Sequence, residues 1–548
     1  MKRPRPRRGV TRQDNRGVAA DAVVQSALHV CAGLRSKELR NSARAIRITD
    51  SSHGRPEALC GRLIFTVLSA WRNSKMEKNM ISRRRFLQSS LTAALVPLLP
   101  RVSLGATGAL RYRPEWSTFC AMPMFQDYLA AISAMKANTN ASDPNSWNYW
   151  VNVHKDFCPH RVAYFLAWHR GFLFRFEAQV RAVSGNPDLV IPYWDYYTNP
   201  VMPIEFTDTT SPLYIANRQN TDVTNALSLD PFAPTVTNFQ RGLTNAFETT
   251  LETLPHNPVH NLIGGAMGAV TVSPRDPIFW VHHGNIDRLW AAWCNAGGGR
   301  TMPPSTDPYW AGSFNYGPGV PTIKRVWTIS DSVLRYQYDN ETMPMALPVI
   351  SVPPQPAAIT LQALSSTPQG ALAVSLGGGQ RLALDEKSVS VAVPLGVTDR
   401  NQVRSLLLKQ AATKVQAPID NSLQVVLDGV RLTELGKKGG YFYKIYINLP
   451  AQAGTSQPET KYLLGTVGSF EITGMLNHMA MSGMPMAKAS DGVRIAYPAT
   501  DALARIAPGN LDRLTISFVR VDGSGRPAKG TVITVREFRV ETTNPTAR

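Results

Sequence analysis

Apolar and polar positions along the chain follow two regimes that change near residue 350. Before it, "FCPHRVAYFLAWHRGFLFRFE" (157–177) and "DPIFWVHHGNIDRLW" (276–290) carry apolar residues at helical spacing. In the second, Asp276-Pro277 suits a first turn, and Trp280, Ile286, Leu289 and Trp290 recur about every three to four residues. After it, "LQVVLDGVRLTELGKKGGYFYKIYINLP" (423–450) and residues 511–541 alternate as strands do, with Gly-rich turns between them. "VISVPPQPAAIT" (349–360) reads as a linker. The pattern predicts an α+β multidomain chain: a mainly α-helical domain over 107–348, a linker over 349–374 and a C-terminal β-sandwich over 375–548.

The 548 residues carry a net charge of +19, which at first suggests a nucleic-acid partner. Its distribution removes that suggestion. Residues 1–106 hold 21 Lys and Arg against 6 Asp and Glu, and the rest of the chain holds 37 against 33. The folded part is therefore expected to bind no nucleic acid. "SRRRFLQSSLTAALVPLLPRVSLGA" (82–106) resembles a twin-arginine export signal: paired arginines, Phe86-Leu87, then an apolar run too short for a membrane-spanning helix. The expectation is a signal over 76–106, handled by the twin-arginine translocation machinery. Export to the periplasm or medium follows, with a plastid lumen as the alternative and no membrane anchor in the mature form. Residues 1–75 are Arg-rich and patternless, a basic extension or a mis-assigned start ahead of Met76 or Met80. Five cysteines without a Cys-x2-Cys pair suggest neither a disulfide scaffold nor zinc.

Histidine is where the chemistry concentrates. Of ten histidines, seven lie between 154 and 283. His256-x3-His260 is an i,i+4 pair that can aim two imidazoles at one ion or simply share a helix face. His160 and His169 stand nine residues apart, about two and a half turns, so they cannot share one straight helix face. Pro159 suggests that His160 reaches in from a loop while His169 sits on the helix. His154 lies six residues before His160. His282 and His283 are adjacent and point about 100° apart on a helix, so one of them has a different task. Neither a Glu-x2-His pair nor a Cys cluster accompanies these residues, and neutral imidazoles alone suit copper.

These segments resemble the two copper signatures of the tyrosinase, polyphenol oxidase and hemocyanin family. The first runs from His160 through Phe165-Leu166-Ala167-Trp168-His169-Arg170 to Glu177, and the second through Asp276-Pro277-Ile278-Phe279-Trp280, His283 and Asp287. The resemblance implies two copper ions, with O2 as co-substrate: His154, His160 and His169 on one, His256, His260 and His283 on the other. His282 is then an accessory, packed or hydrogen-bonded. Asp287 would steady a ring or the neighbouring Arg288. Cys158, two residues before His160, stands where fungal and molluscan relatives join sulfur to an imidazole carbon in a thioether. A buried free thiol is the alternative. The C-terminal strands resemble the β-domain of plant polyphenol oxidases, although that family's Lys-Phe-Asp-Val tetrapeptide is absent.

The same ligand set serves monophenol hydroxylation, catechol oxidation and reversible O2 carriage. Export, a single copper domain and an oxidase-like C-terminal domain favour an enzyme acting on small phenols, producing o-quinones from o-diphenols with ortho-hydroxylation of monophenols. A catechol oxidase without the hydroxylase step is the runner-up, and a hemocyanin-like O2 carrier is the alternative of another class. Glu252 and Asn257 match the pair that orients a water as base in plant enzymes, and could equally be a salt bridge and a helix cap. Val270 stands where some relatives place a bulky gate. "MLNHMAMSGMPM" (475–486) holds Met475, His478, Met479, Met481, Met484 and Met486 in a loop-like Gly/Pro context. Its soft donors suggest a copper relay or a plug over the site, or else a packing loop.

Overall fold

The computed structural model describes residues 109–348, 360–363, 373–411, 418–419, 422–450, 460–481, 491–523 and 529–543, all within one compact unit. The extension and signal assigned to 1–106 lie outside the described residues, as do Met484 and Met486.

The helical half is built from α1 (Met124–Ala137), α2 (Trp147–Phe157), α3 (Phe165–Ser184), α4 (Phe247–Leu251), α5 (Asn257–Ile263) and α6 (Ile278–Asn295). α6 starts where the sequence indicated: the Asp276 side chain accepts the Ile278 N–H, and Pro277 precedes the first turn. α2, α3 and α6 meet through large aromatic side chains, with Phe176 and Trp280 stacked at 3.4 Å and Trp150 edge-on to Phe176. Each such ring buries some 150–250 Å², so the helices carrying the histidines are fixed by their apolar faces and not by the polar centre they enclose.

The helical half closes on itself. β1 (Arg111–Arg113) runs parallel to β4 (Tyr336–Tyr338), so its first and last segments are hydrogen-bonded neighbours. Between them only a two-residue pair, β2 (Ser313–Phe314) with β3 (Ile323–Lys324), adds strand structure.

The C-terminal strands are β5 (Thr360–Ala363), β6 (Ala373–Leu384), β7 (Val389–Pro394), β8 (Leu423–Leu432), β9 (Tyr441–Ile447), β10 (Leu463–Gly468), β11 (Val493–Pro498), β12 (Arg513–Asp522) and β13 (Ile533–Thr543). They form two sheets, ordered β10-β9-β12-β7-β5 and β11-β8-β13-β6. A buried cluster including Val391, Leu427, Ile445, Ile516 and Phe538 draws on both sheets. Among the described residues three α-helices accompany the sheets: α7 (Val397–Ala411), α8 (Ser469–Met481) and α9 (Thr500–Ile506).

Two expectations are corrected. Residues 349–374 are not all linker, because β5 lies inside that stretch and pairs parallel with β7, and β6 begins at Ala373. Residues 475–481 are not loop but the second half of α8. Ile472, Met475, Leu476 and Met479 give that helix an apolar stripe against the C-terminal core. Among the described residues, no helix is long and apolar enough to cross a membrane.

Candidate metal centre

His154 stands on α2, His160 in the coil after Pro159, and His169 on α3. Their Nε2 atoms converge, at 3.4 Å from His160 to His154 and 3.5 Å from His169 to His154. His256 closes a short π-turn (Glu252–His256), His260 lies on α5 and His283 on α6. The Nε2 of His283 is 3.4 Å from that of His256 and 3.4 Å from that of His260. The His169 and His283 rings stack at 4.5 Å, which sets the two triads side by side.

Backbone carbonyls aim these rings. The Nδ1 of His154 donates to the Val270 carbonyl at 3.0 Å, that of His169 to Phe165 at 2.8 Å and that of His260 to Met267 at 2.9 Å. The Nδ1 of His256 donates to Asn257 Oδ1 at 2.8 Å. An oxygen acceptor at Nδ1 leaves the lone pair on Nε2, pointing into the triad. Burial, then the crowding of other imidazoles, holds His169, His256 and His283 well below the usual histidine range. They are neutral donors. Three such nitrogens around one ion at about 2.0 Å stand about 3.5 Å apart when trigonal, which is the spacing here. Among the described residues no carboxylate joins either histidine cluster; Cys158 stands with His154 and His160 in one, and His282 with His256, His260 and His283 in the other. All-imidazole donor sets of this kind fit copper.

His282 is the odd imidazole. It is fully buried, stacks on His256 at 5.3 Å and meets His260 edge-on, and neither of its ring nitrogens has a protein hydrogen-bond partner. Burial pushes it down to about 3. It packs the floor of the second triad, while His283 turns its Nε2 into that triad.

Asp287 does something other than the sequence suggested. It touches neither an imidazole nor Arg288. It accepts from Arg170 at 2.6 Å, from the Tyr338 hydroxyl at 2.7 Å and from the Tyr336 hydroxyl, with Arg113 at 3.5 Å. Arg113 also pairs with Glu177 at 2.7 Å and lies 3.6 Å over the Tyr336 ring. A buried ionic knot thus ties α3, α6, β1 and β4 together directly beneath the histidines. Arg288 goes instead to Asn285 and Asp195.

Glu252 is buried beside the first triad, with Oε1 accepting the Arg161 N–H at 2.8 Å and lying 3.6 Å from His160 Nδ1. Its Oε2 is ion-paired with Arg241. Burial raises its carboxyl, but Arg241 and His160 together outweigh this and hold it below the usual range. Asn257 is spent on orienting His256. Cys158 is buried, its sulfur within 4.8 Å of the donor atoms of His154 and His160.

The C-terminal half covers the centre with one ring. Phe470, at the start of α8, stacks on His260 at 3.9 Å and 15° and meets His160 edge-on at 5.2 Å. Asn261 holds it there: its Oδ1 accepts the Phe470 N–H at 2.9 Å and its Nδ2 donates to Glu471 at 2.7 Å. The Val270 N–H donates to Thr473 on the same helix. Around Asn261 the two halves meet through glycine. A Cβ on Gly264 would lie 2.7 Å from the Lys438 carbonyl, and one on Gly439 would lie 2.7 Å from Gly264 Cα. The ring over the site comes from Phe470; in the described part of 475–486, Met475 and Met479 turn to the C-terminal core and His478 and Met481 are exposed. Neither Phe470 nor Asn261 nor Arg241 has a sequence signal, because each acts across more than a hundred residues or through a turn.

Two triads of imidazole on a helical scaffold define a dinuclear, all-nitrogen metal protein. The profile of the common central domain of tyrosinase matches residues 127–227 and 205–296, so the helical half carries that domain. The chain is 33% identical over 243 residues to tyrosinase HcTyr1 of Hahella sp. (strain CCB-MM4), covering 32% of this chain and 52% of that protein. It is 25% identical over 304 residues to the chloroplastic polyphenol oxidase of Spinacia oleracea, covering 42% and 47%. The chain thus spans about half the length of these curated relatives. The structure of latent apple tyrosinase aligns over 80% of this chain and 99% of that one, at 19% identity and a TM-score of 0.47.

Proposed function

We propose that the protein uses O2 to oxidise small phenols at two copper ions, turning o-diphenols into o-quinones and hydroxylating monophenols beside their hydroxyl. The observation that carries this is the pair of convergent Nε2 triads, with an aromatic ring already stacked on one of them. Bound copper would supply O2 activation and the transfer of electrons. The stoichiometry is two catechols and one O2 to two quinones and two waters, or one monophenol and one O2 to one quinone and one water. The chain's own part is orientation and exclusion. A phenol ring taking the place of Phe470 would lie flat on His260, with Phe165 and Phe279 packed against the imidazoles to keep water out (4.6 Å from Phe165 to His256, 4.2 Å from Phe279 to His283). Val270 is a small side chain facing α8, so the mouth is open to phenols once that helix withdraws.

One observation favours the runner-up, a catechol oxidase without hydroxylase activity. Both oxygens of Glu252 are engaged, by Arg161 and Arg241. The deciding test is O2 uptake by the copper-loaded chain from Thr107, whole and ending at Met345, with catechol and with 4-methylphenol. Uptake with catechol, rising when the C-terminal half is removed, is expected. Two bound coppers and a reversible O2 spectrum without turnover would move the reading to oxygen carriage.

The same reading includes export through the twin-arginine route, which carries folded, metal-loaded proteins, and a thioether between Cys158 and a carbon of His160. Intact mass of the copper-matured protein should show a deficit of two hydrogens that Cys158→Ser abolishes; an unchanged mass would leave Cys158 a plain thiol.

A further inference from the structure

The residue with the most direct hold on Glu252 is one that no metal ligand touches. Arg241 sits in a turn fixed from both sides. Its own N–H donates to Glu248 at 3.2 Å, and Asn238 braces the turn from beneath, its carbonyl accepting the Phe247 N–H at 2.7 Å. On the outer side the Gly242 carbonyl accepts the Ile419 N–H at 2.9 Å, and Leu243 bridges to Pro418, both from the C-terminal half. A long side chain normally loses much rotamer freedom when it is held in one place. Here the pinned backbone launches Arg241 inward, its side chain only 18% exposed, onto Glu252 Oε2.

A carboxylate that takes a proton from a phenol must present an oxygen to the phenol O–H, directly or through one water. Glu252 Oε1 already accepts the Arg161 N–H and is crowded by His160 Nδ1 at 3.6 Å. Oε2 is the oxygen left for that task, and Arg241 holds it. We propose that Arg241 is a positioning residue that sets the balance between monophenol hydroxylation and catechol oxidation by occupying Glu252 Oε2. The inference rests on the phenol-oxidising function proposed above. In the hydroxylation the phenol proton passes to Oε2, one atom of O2 enters the ring and the other leaves in water. Catechol already carries both oxygens, so its oxidation depends less on this carboxylate. Release of Oε2 therefore raises the monophenol rate selectively.

The experiment compares wild type, Arg241→Gln and Arg241→Lys in the copper-loaded chain 107–548, as the ratio of initial rates with 4-methylphenol and 4-methylcatechol. Whatever fraction of molecules is open cancels in the ratio. Arg241→Gln should raise it at least about tenfold, against the roughly 100-fold that a general base can contribute. Arg241→Lys, which keeps a cation on Oε2, should stay within about twofold of wild type. An unchanged or lower ratio in Arg241→Gln overturns the proposal. Copper content and deuterium exchange of residues 158–164 in the metal-free protein should match wild type, because Oε1 still accepts the Arg161 amide. Lost copper or faster exchange would mean that Arg241 braces the His160 loop instead, which also overturns it. If wild type leaves catechol untouched, it is the underlying functional reading that fails.

Discussion

Gly468→Leu in the full chain should oxidise catechol tens of times faster than wild type and approach the form ending at Met345. Gly468 closes β10, and any Cβ placed on it runs into the Asn261 amide across the interface. Asn261 is fully buried and held by Phe470 and Glu471, so it cannot step aside without breaking both hydrogen bonds. The new side chain therefore penalises the docked state alone, since the direction it needs faces away from the C-terminal core. Overpacking costs about 1–3 kcal/mol and each lost hydrogen bond about 1 kcal/mol. Some 3 kcal/mol shifts the docked-to-open ratio about 100-fold. Gly509→Ala, in the same half with nothing within 4 Å, is the control that should change nothing. A Gly468→Leu chain as slow as wild type, beside a fast truncated form, would show that the cover is held elsewhere.

The second large effect is on stability. Asp287→Ala should lower the unfolding free energy by about 3–5 kcal/mol, because it leaves Arg170 and Arg113 buried with a charge partner removed. Two tyrosine hydroxyls lose their acceptor as well. The damage should reach the metal centre. Arg170 directly follows His169, and Asp287 lies one turn after His283, so their ion pair fixes α3 against α6 at the height of both triads. Copper bound per chain should fall together with the denaturation midpoint. Asp287→Asn, which keeps an acceptor for the tyrosines, should be milder in both. A stable Asp287→Ala protein with full copper would remove the knot from the account of the site.

What the sequence disclosed and what it withheld follow from distance along the chain. The helices around 165–184 and 278–295 were legible because their apolar residues repeat at helical spacing within one window. The histidine cluster was legible by its density, and its division into two triads by resemblance to known copper signatures. α8 was misread because the Gly/Pro residues after Met481 suggested a loop, although Ile472, Met475, Leu476 and Met479 already carried the helical stripe. The partners of Asp287 and Glu252 were not legible at all. An acidic residue in a helix has many neighbours in reach, and only the fold selects Arg170, Tyr336 and Tyr338 for one and Arg241 for the other. The covering ring was hidden for the same reason, because Phe470 and the His260 it stacks on are 210 positions apart in the sequence.

The parallel pairing of β1 with β4 has a bearing on how the cover can be lifted. The helical half begins and ends at one place, and the chain stays bonded to it as far as Thr342, whose carbonyl accepts from Arg288. The tether to the covering half starts after that and takes none of the helical half's strands with it. While the tether is whole, the covering half is held at an effective concentration on the order of millimolar, whatever the dilution of the protein. A cut near Met345, a residue 88% exposed, removes that advantage without breaking a single interface contact. Cleavage and opening are then separate events. The first turns a unimolecular closure into an association between two fragments, and dilution rather than the cut itself decides how fully the site is uncovered.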